Sequence, residues 1–117
     1  MTRPQIKYND AWEMIPLEFV DDVIEFFDMR LQPTHPLRQY ELLPIAKCWR
    51  KDKYLIEEEK PSDKLWCLDL ERKRRVKGRT CYYFKLIESQ EELDEILEQD
   101  YRTWVQHMKE IGSWNES

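Results

Sequence analysis

Glycine, cysteine and histidine are scarce in this chain of 117 residues, and their scarcity excludes several classes of site. The only glycines are Gly78 and Gly112, so no glycine-rich loop is present to cradle a phosphate group. The three cysteines, Cys48, Cys67 and Cys81, are odd in number and lack the close spacing of zinc ligands. We therefore expect reduced, buried thiols, no metal or cofactor site, and a protein that is not an enzyme.

The two histidines offer no recognisable catalytic pattern. His35 stands among prolines in a predicted loop, where we expect its ring to be exposed. His107 falls at the rim of the apolar stripe of the last predicted helix, which favours a structural role. Neither histidine can be matched to a nucleophile from the sequence, because that pairing depends on geometry.

Long apolar runs are also missing, since no segment approaches the ~20 residues that span a bilayer. The first ten residues lack the apolar core of a secretion signal. A net charge of −5 argues against general affinity for DNA. A hydrophobic content of 41% and an aromatic content of 13% nevertheless support a folded core. We expect one cytoplasmic domain over residues 1–117, without membrane contact.

Helical periodicity appears near both ends of the chain. Apolar residues at helical spacing predict a first helix from Pro16 to about Leu31, followed by a proline-containing loop. Ser89 and Glu92 have the spacing of a capping box, and they predict a second helix that ends at Gly112. Before the first helix, Asn9 or Asp10 is expected to cap a short turn.

Strand-like alternation fills the middle of the chain. It predicts strands over residues 45–50, 54–57, 64–71 and 80–87, with a turn at 58–63. Short links between consecutive strands favour antiparallel pairing. The predicted fold is α+β: a single domain with a four-stranded antiparallel sheet and both helices packed on one face. The side chains expected to be buried there are Phe19, Val23, Phe27, Leu97, Trp104 and Met108. An exposed Trp104 would instead indicate a homodimer formed through the second helix.

Charge is sorted along the chain, and acidic residues are concentrated on both predicted helices. Seven carboxylates and no basic residue lie between Glu88 and Asp100. Carboxylates held on rigid helices suit a cationic protein partner, because complementary fields steer association. Our first hypothesis is a non-catalytic acidic binding domain that acts by protein–protein contact, as inhibitors and immunity proteins do. Its contact residues would be Asp21, Asp22, Glu25, Asp94, Glu95 and Glu98.

Basic residues are concentrated in the link between the last two predicted strands. Six cations fall within residues 72–79, and aromatic residues lie on the adjoining strands. Cations beside aromatic rings are typical of nucleic-acid binding, whereas a solvated turn that protects a sheet edge is the alternative. The second hypothesis is therefore a nucleic-acid or anionic-ligand binder that uses Arg72, Arg74, Arg75, Lys77 and Arg79.

Large aromatic side chains support a third hypothesis, a small-molecule binder. A pocket between sheet and helices would be lined by Trp49, Trp66, Tyr83 and Trp104. Aromatic residues of this kind more often belong to an ordinary core.

The C-terminal half has a loose family resemblance. Trp66, Asp69 and Gly78, followed by Ser89 to Leu93, loosely resemble the strand–turn–strand–helix tail of the SUKH immunity superfamily. The resemblance implies a protein that binds and neutralises a toxin. The first half of the chain lacks the glycine-containing segment that usually follows the first helix in that superfamily.

Overall fold

The computed structural model describes residues 4–49, 51–60 and 64–115 as an α+β fold with one antiparallel sheet. The elements in chain order are β1 (Trp12–Met14), α1 (Leu17–Arg30), a 3₁₀ turn (Pro36–Gln39), β2 (Glu41–Cys48), β3 (Lys53–Lys60), β4 (Leu65–Val76), β5 (Arg79–Ile87) and α2 (Gln90–Asn115). The strands are arranged in the order β1-β2-β3-β4-β5, so each one pairs with its neighbour in sequence.

The prediction of four strands is wrong, because β1 adds a fifth. Asn9 does begin a turn, and its side-chain oxygen accepts a hydrogen bond from the Ala11 amide at 2.8 Å. The chain then pairs with the edge of β2, with Trp12 opposite Cys48 and Met14 opposite Ala46. A strand of three residues is too short to show a period-two alternation in sequence.

The prediction that both helices pack on one face of the sheet is also wrong. Alternate residues of one strand point to opposite faces. On β3, Leu55 joins a cluster with Leu93 and Leu97 of α2, whereas Tyr54 and Ile56 join a cluster with α1. The two helices therefore cover opposite faces, and the sheet is the middle layer.

Burial along β4 explains this three-layer arrangement. All six residues from Leu65 to Leu70 are buried. Leu65 and Cys67 belong to the α2 cluster, and Trp66, Leu68 and Leu70 belong to the α1 cluster. Continuous burial is typical of a strand covered on both faces. The alternation of Trp66, Leu68 and Leu70 revealed only one of the two faces.

The predicted core side chains are buried to different extents. Phe27 and Leu97 are buried, while Val23, Trp104 and Met108 are half-buried. Phe19 is 52% exposed, so its expected burial is wrong. Phe27 on α1 and Leu97 on α2 belong to different clusters, one on each face of the sheet.

The helix boundaries agree with expectation at three of four ends. α1 begins and ends within a residue of the predicted limits, with Pro16 at the N-cap. The Ser89 hydroxyl accepts a hydrogen bond from the Glu92 amide at 3.2 Å, which confirms that half of the capping box. α2 continues through Gly112 to Asn115, so the predicted end is wrong. A glycine inside a helix costs only about 1 kcal/mol, which the neighbouring residues can offset. The predicted turn at 58–63 is wrong at residues 58–60, which belong to β3. Residues 61–63 lie outside the described residues, as does residue 50.

Candidate functional site

The basic segment forms a two-stranded ribbon that extends beyond the rest of the sheet. β3 pairs with β4 only as far as Lys53 opposite Asp69. β4 and β5 continue together to Val76 opposite Arg79. We call residues 72–82 the basic ribbon. Because its strands are paired, its cations occupy defined positions on an extended backbone.

The tip of the basic ribbon is a tight turn with a defined geometry. Lys77 and Gly78 both have positive φ angles, 51° and 80°. Two central residues with positive φ between paired strands form a type I′ turn, whose twist matches that of the strands. The Arg75 guanidinium donates a hydrogen bond to the Gly78 carbonyl at 3.4 Å. The link between the last two predicted strands is therefore a paired hairpin with a two-residue turn at its tip.

A bulge marks the base of the basic ribbon. The register passes from Asp69 opposite Tyr83 to Lys73 opposite Tyr82, so three extra residues lie on β4. The buried Asp69 side chain accepts a hydrogen bond from the Glu71 amide at 2.9 Å, and this contact fixes the start of the bulge. Bulges increase the local twist and redirect the strand. Here the bulge brings Arg72 over the Tyr83 ring at 4.5 Å.

Several of the ribbon cations contact aromatic rings. The Lys73 ammonium lies 5.5 Å from the centre of the Tyr82 ring. Arg74 lies 5.1 Å from the Phe84 ring and donates from Nη1 to the Phe84 carbonyl at 2.8 Å. These contacts order the charged groups without neutralising them, since a cation–π interaction leaves the charge in place.

The ribbon cations have no carboxylate partners in the described part of the chain. The ion pairs there involve other bases, namely Lys7, Arg38, Lys51, Lys53, Lys85 and Arg102. The six cations of the basic ribbon are all exposed: Arg72, Lys73, Arg74, Arg75, Lys77 and Arg79. All five residues predicted for anion binding therefore lie together on one projecting element.

The predicted acidic contact residues do not form one surface. Asp21, Asp22 and Glu25 lie exposed on α1, on one face of the sheet. Asp94, Glu95 and Glu98 lie on α2, which covers the opposite face. The six carboxylates are therefore two separate groups.

The α2 group is also partly engaged within the protein. Asp94 accepts a hydrogen bond from the Gln90 side-chain amide at 2.9 Å and pairs with Lys7 at 3.7 Å. Glu98 pairs with Arg102 at 2.8 Å. The fields of such paired carboxylates are reduced at a distance, because each carries a nearby opposite charge.

The four aromatic residues predicted to line a pocket are dispersed. Trp66 is buried in the α1 cluster, where its indole N–H donates to Glu58 at 3.0 Å. Trp104 packs against the α2 cluster on the other face and stacks on Tyr101. Because the sheet separates Trp66 from Trp104, the four do not line one cavity. Trp49 contacts His107 edge to face at 4.9 Å.

The expected exposure of His35 is wrong, since its side chain is only 3% exposed. Nδ1 accepts a hydrogen bond from the Leu37 amide at 3.2 Å, so Nε2 carries the proton and donates to the Tyr82 carbonyl at 3.1 Å. Burial lowers the pKa of His35, and the nearby Arg38 charge lowers it further against the opposing effect of the Tyr82 bond. The ring is a neutral link between the 3₁₀ turn and β5.

The three cysteines are buried and free. Burial raises the pKa of the Cys48 thiol to about 11, with the Asp100 charge as a further cause. Burial likewise raises the pKa of Cys67 to about 12. A thiol with a raised pKa carries little thiolate at neutral pH and is a poor nucleophile. Among the described residues, no group of three or more potential ligands has the arrangement of a metal site.

Sequence reasoning missed a buried charged network around Asp100. Asp100 is 5% exposed and accepts hydrogen bonds from Lys53 at 2.9 Å, Lys51 at 3.4 Å and the Trp12 indole at 3.2 Å. The available signal was positional: Asp100 follows Leu93 and Leu97 on the apolar stripe of α2, although it also ends the acidic run. The network joins α2 to β1 and β3.

Comparison with protein-family models, curated proteins and solved structures finds no match to this chain. The loose resemblance to the SUKH immunity superfamily therefore gains no support. In the part of the chain that the structure describes, no helix is both long enough and apolar enough to cross a membrane.

Proposed function

We propose that the protein binds nucleic acid through the basic ribbon, without catalysing a reaction on it. The single observation that carries this proposal is the group of six exposed ribbon cations, which have no carboxylate partner among the described residues. Unpaired cations on an ordered element can contact phosphates and release their counterions, which drives binding to nucleic acids.

The net charge of −5 does not oppose this proposal, because screening makes the ribbon's field a local one. β5 has 9 residues, and at ~3.3 Å per residue its ends lie about 25 Å apart. The first carboxylates of α2 therefore begin far from the ribbon tip, although Glu88 follows Arg79 closely in sequence. Over that distance, repulsion is weak when the Debye length is about 8 Å. Glu92 and Glu95 lie nearer to the base of the ribbon, since both line a small cavity that Arg72 also lines.

Aromatic residues beside the cations add a second kind of support. Tyr82 and Tyr83 are half-buried on β5 under Lys73 and Arg72. In proteins that bind single strands, cations track the backbone while aromatic rings receive the bases. A two-stranded ribbon also has the dimensions to enter a major groove. Both modes use the same cations.

The test is to titrate the protein into labelled single-stranded RNA, single-stranded DNA and duplex DNA. Binding is measured by fluorescence anisotropy at several salt concentrations. For the wild-type protein, we expect the logarithm of the affinity to fall linearly with the logarithm of the salt concentration, by ~0.7–0.9 per phosphate contacted. Arg74→Glu with Arg75→Glu should lower the affinity by a hundred-fold or more.

The matched control reverses two exposed cations elsewhere, Lys64→Glu with Lys109→Glu. This control changes the net charge by the same amount as the ribbon variant. If the position of the cations determines binding, the affinity of the control should stay within a few-fold of wild type. Equal losses in both double variants would mean that only total charge is sensed. Absence of wild-type binding to all three probes at low salt would refute the proposal.

The α1 carboxylates support a second candidate function, contact with a cationic protein. Asp21, Asp22 and Glu25 are exposed, and helical spacing places them side by side on α1. In the described residues they take part in none of the ion pairs. This retains half of the acidic surface in our first hypothesis.

The second candidate is tested by affinity capture from a host extract at low salt, with nuclease treatment in parallel. A partner that survives nuclease, is released by high salt and is lost from Asp21→Lys with Asp22→Lys would support it. The same partner should remain bound to the Arg74→Glu, Arg75→Glu variant. A partner lost from the ribbon variant alone would exclude the α1 surface.

A further inference from the structure

A cavity of about 530 Å³ lies where the basic ribbon meets the 3₁₀ turn. The 3₁₀ turn provides one wall and the ribbon residues 76–81 the other. Cavities that hold small ligands have volumes of ~300–1,000 Å³. The 3₁₀ turn is held in place by Arg38, which donates hydrogen bonds to the Asp28 carboxylate at 2.9 Å and to the Asp28 carbonyl at 2.8 Å.

The least exposed residues that line this cavity are uncharged. His35 and Phe84 both line it, with ring centres 5.1 Å apart in an edge-to-face arrangement. Both nitrogens of His35 are engaged by backbone groups, so the ring stays neutral and offers no charge to an anion. Rings without charge favour a planar, uncharged group over a phosphate.

The exposed residues that line the cavity are polar or charged. Gln32 and Gln39 contribute amides on one side, and Lys77 and Arg79 contribute cations from the ribbon on the other. The Gln39 amide nitrogen donates to the Pro36 carbonyl at 3.0 Å, which leaves its oxygen as an acceptor. Amides can hydrogen-bond the edge of a base, while the cations suit a phosphate outside.

We infer that the protein binds single-stranded nucleic acid, with one unpaired base in this cavity and the adjoining phosphates on Lys77 and Arg79. This inference rests on the proposed function and narrows it. A base inside the cavity cannot be stacked and paired in a duplex at the same time. A duplex could therefore bind here only after unpairing, which costs free energy that a single strand avoids.

The test compares two single strands of about ten nucleotides, within the size range of known single-strand sites. One is oligothymidylate, and the other is an abasic strand with the same number of phosphates. The wild-type protein should bind the strand with bases about ten-fold or more tightly than the abasic strand, and more tightly than a duplex of equal length. Gln32→Ala with Gln39→Ala should reduce this preference and leave binding of the abasic strand unchanged.

A 2-aminopurine base provides an independent readout, because its fluorescence rises when it leaves its stacked neighbours. Fluorescence should rise when the wild-type protein binds a strand that carries 2-aminopurine. It should rise less with the Gln32→Ala, Gln39→Ala variant. The Arg74→Glu, Arg75→Glu variant serves as the control, since it should weaken binding of both strands alike.

The failures of this inference and of the proposed function give different results. Equal affinity for the abasic strand and the strand with bases, or tighter binding of the duplex, would overturn the base-binding cavity and leave the ribbon proposal in place. Absence of binding to every probe would overturn both.

Discussion

Removing the Asp100 carboxylate should destabilise the fold strongly, because three donors converge on this buried side chain. Asp100→Ala would leave the Trp12 indole N–H, in a residue that is 1% exposed, without a partner. An unsatisfied buried donor costs ~1–3 kcal/mol. It would also leave Lys53, whose side chain is 16% exposed, without its carboxylate. Breaking a buried ion pair costs ~3–5 kcal/mol, and some of this is recovered here because Lys53 still reaches water.

We therefore expect Asp100→Ala to lower the free energy of unfolding by about 3–4 kcal/mol. Urea denaturation followed by tryptophan fluorescence measures the change. A double-mutant cycle with Lys53→Met separates the ion pair from the indole bond and should give a coupling of ~1–3 kcal/mol. Glu98→Ala, which breaks the exposed pair with Arg102 on the same helix, is the control and should cost under ~0.5 kcal/mol.

The pH dependence provides a further check on this network. Burial tends to lower the pKa of Lys53, but the hydrogen bond and charge of Asp100 outweigh it, so the pKa is raised above 10.5. A raised lysine pKa means that the stabilisation is complete below pH 10.5 and is lost as the pH rises through the folded-state value. The Asp100→Ala variant should not show this loss of stability at alkaline pH. A cost below about 1 kcal/mol, with no coupling to Lys53, would refute the reasoning.

Three other predictions concern the thiols, the buried histidine and the ribbon tip. Cys48 and Cys67 should react with iodoacetamide at pH 8 far more slowly in the native protein than in urea, and equal rates would contradict their raised pKa values. Because the pKa of His35 is lowered from 6.5, the unfolded state binds the proton first, so stability should fall as the pH drops below 6.5. His35→Gln should remove that part of the acid loss in denaturation curves. Gly78→Ala should cost about 1 kcal/mol from its positive φ alone, since no atom lies within 4 Å of the added Cβ; a larger loss would indicate a clash.

Helical elements were predictable here because their signals are local. Proline at the start of α1 and the Ser89–Glu92 pair at the start of α2 act within one turn of the helix, and both helices begin within a residue of expectation. The end of α2 was less predictable, because Gly112 is tolerated inside a helix at modest cost.

The arrangement of the helices on the sheet could not be predicted from the alternation alone. Period-two alternation identifies one buried face, but it does not say whether the other face is also covered. The run Leu65–Leu70 contained that information, because five of its six residues are apolar and they include residues that point to each face of the sheet. Asp69 interrupted the run, and only the structure shows that its side chain is engaged by the Glu71 amide.

The meaning of the sorted charges depended on contacts between distant parts of the chain. Asp100 belongs to the acidic run in sequence, yet it pairs with Lys53, which lies 47 residues away. Asp94 likewise pairs with Lys7 from near the start of the chain. Such pairings cannot be read from local sequence, and they show that part of the acidic run is structural.

The basic ribbon differs from the acidic run in this respect. The four cations from Arg72 to Arg75 contact aromatic rings or backbone carbonyls, while among the described residues none of the six lies within ion-pairing distance of a carboxylate. Substitutions of the ribbon cations should therefore change the free energy of unfolding by less than ~0.5 kcal/mol, as is usual for exposed sites, while Asp100→Ala changes it several-fold more. Inside the fold Asp100 pairs with Lys51 and Lys53, whereas the six ribbon cations have no carboxylate partner among the described residues, and this contrast supports the proposed binding of an external anion. The difference between these two changes in the free energy of unfolding distinguishes a charge that stabilises the fold from charges that the fold does not need.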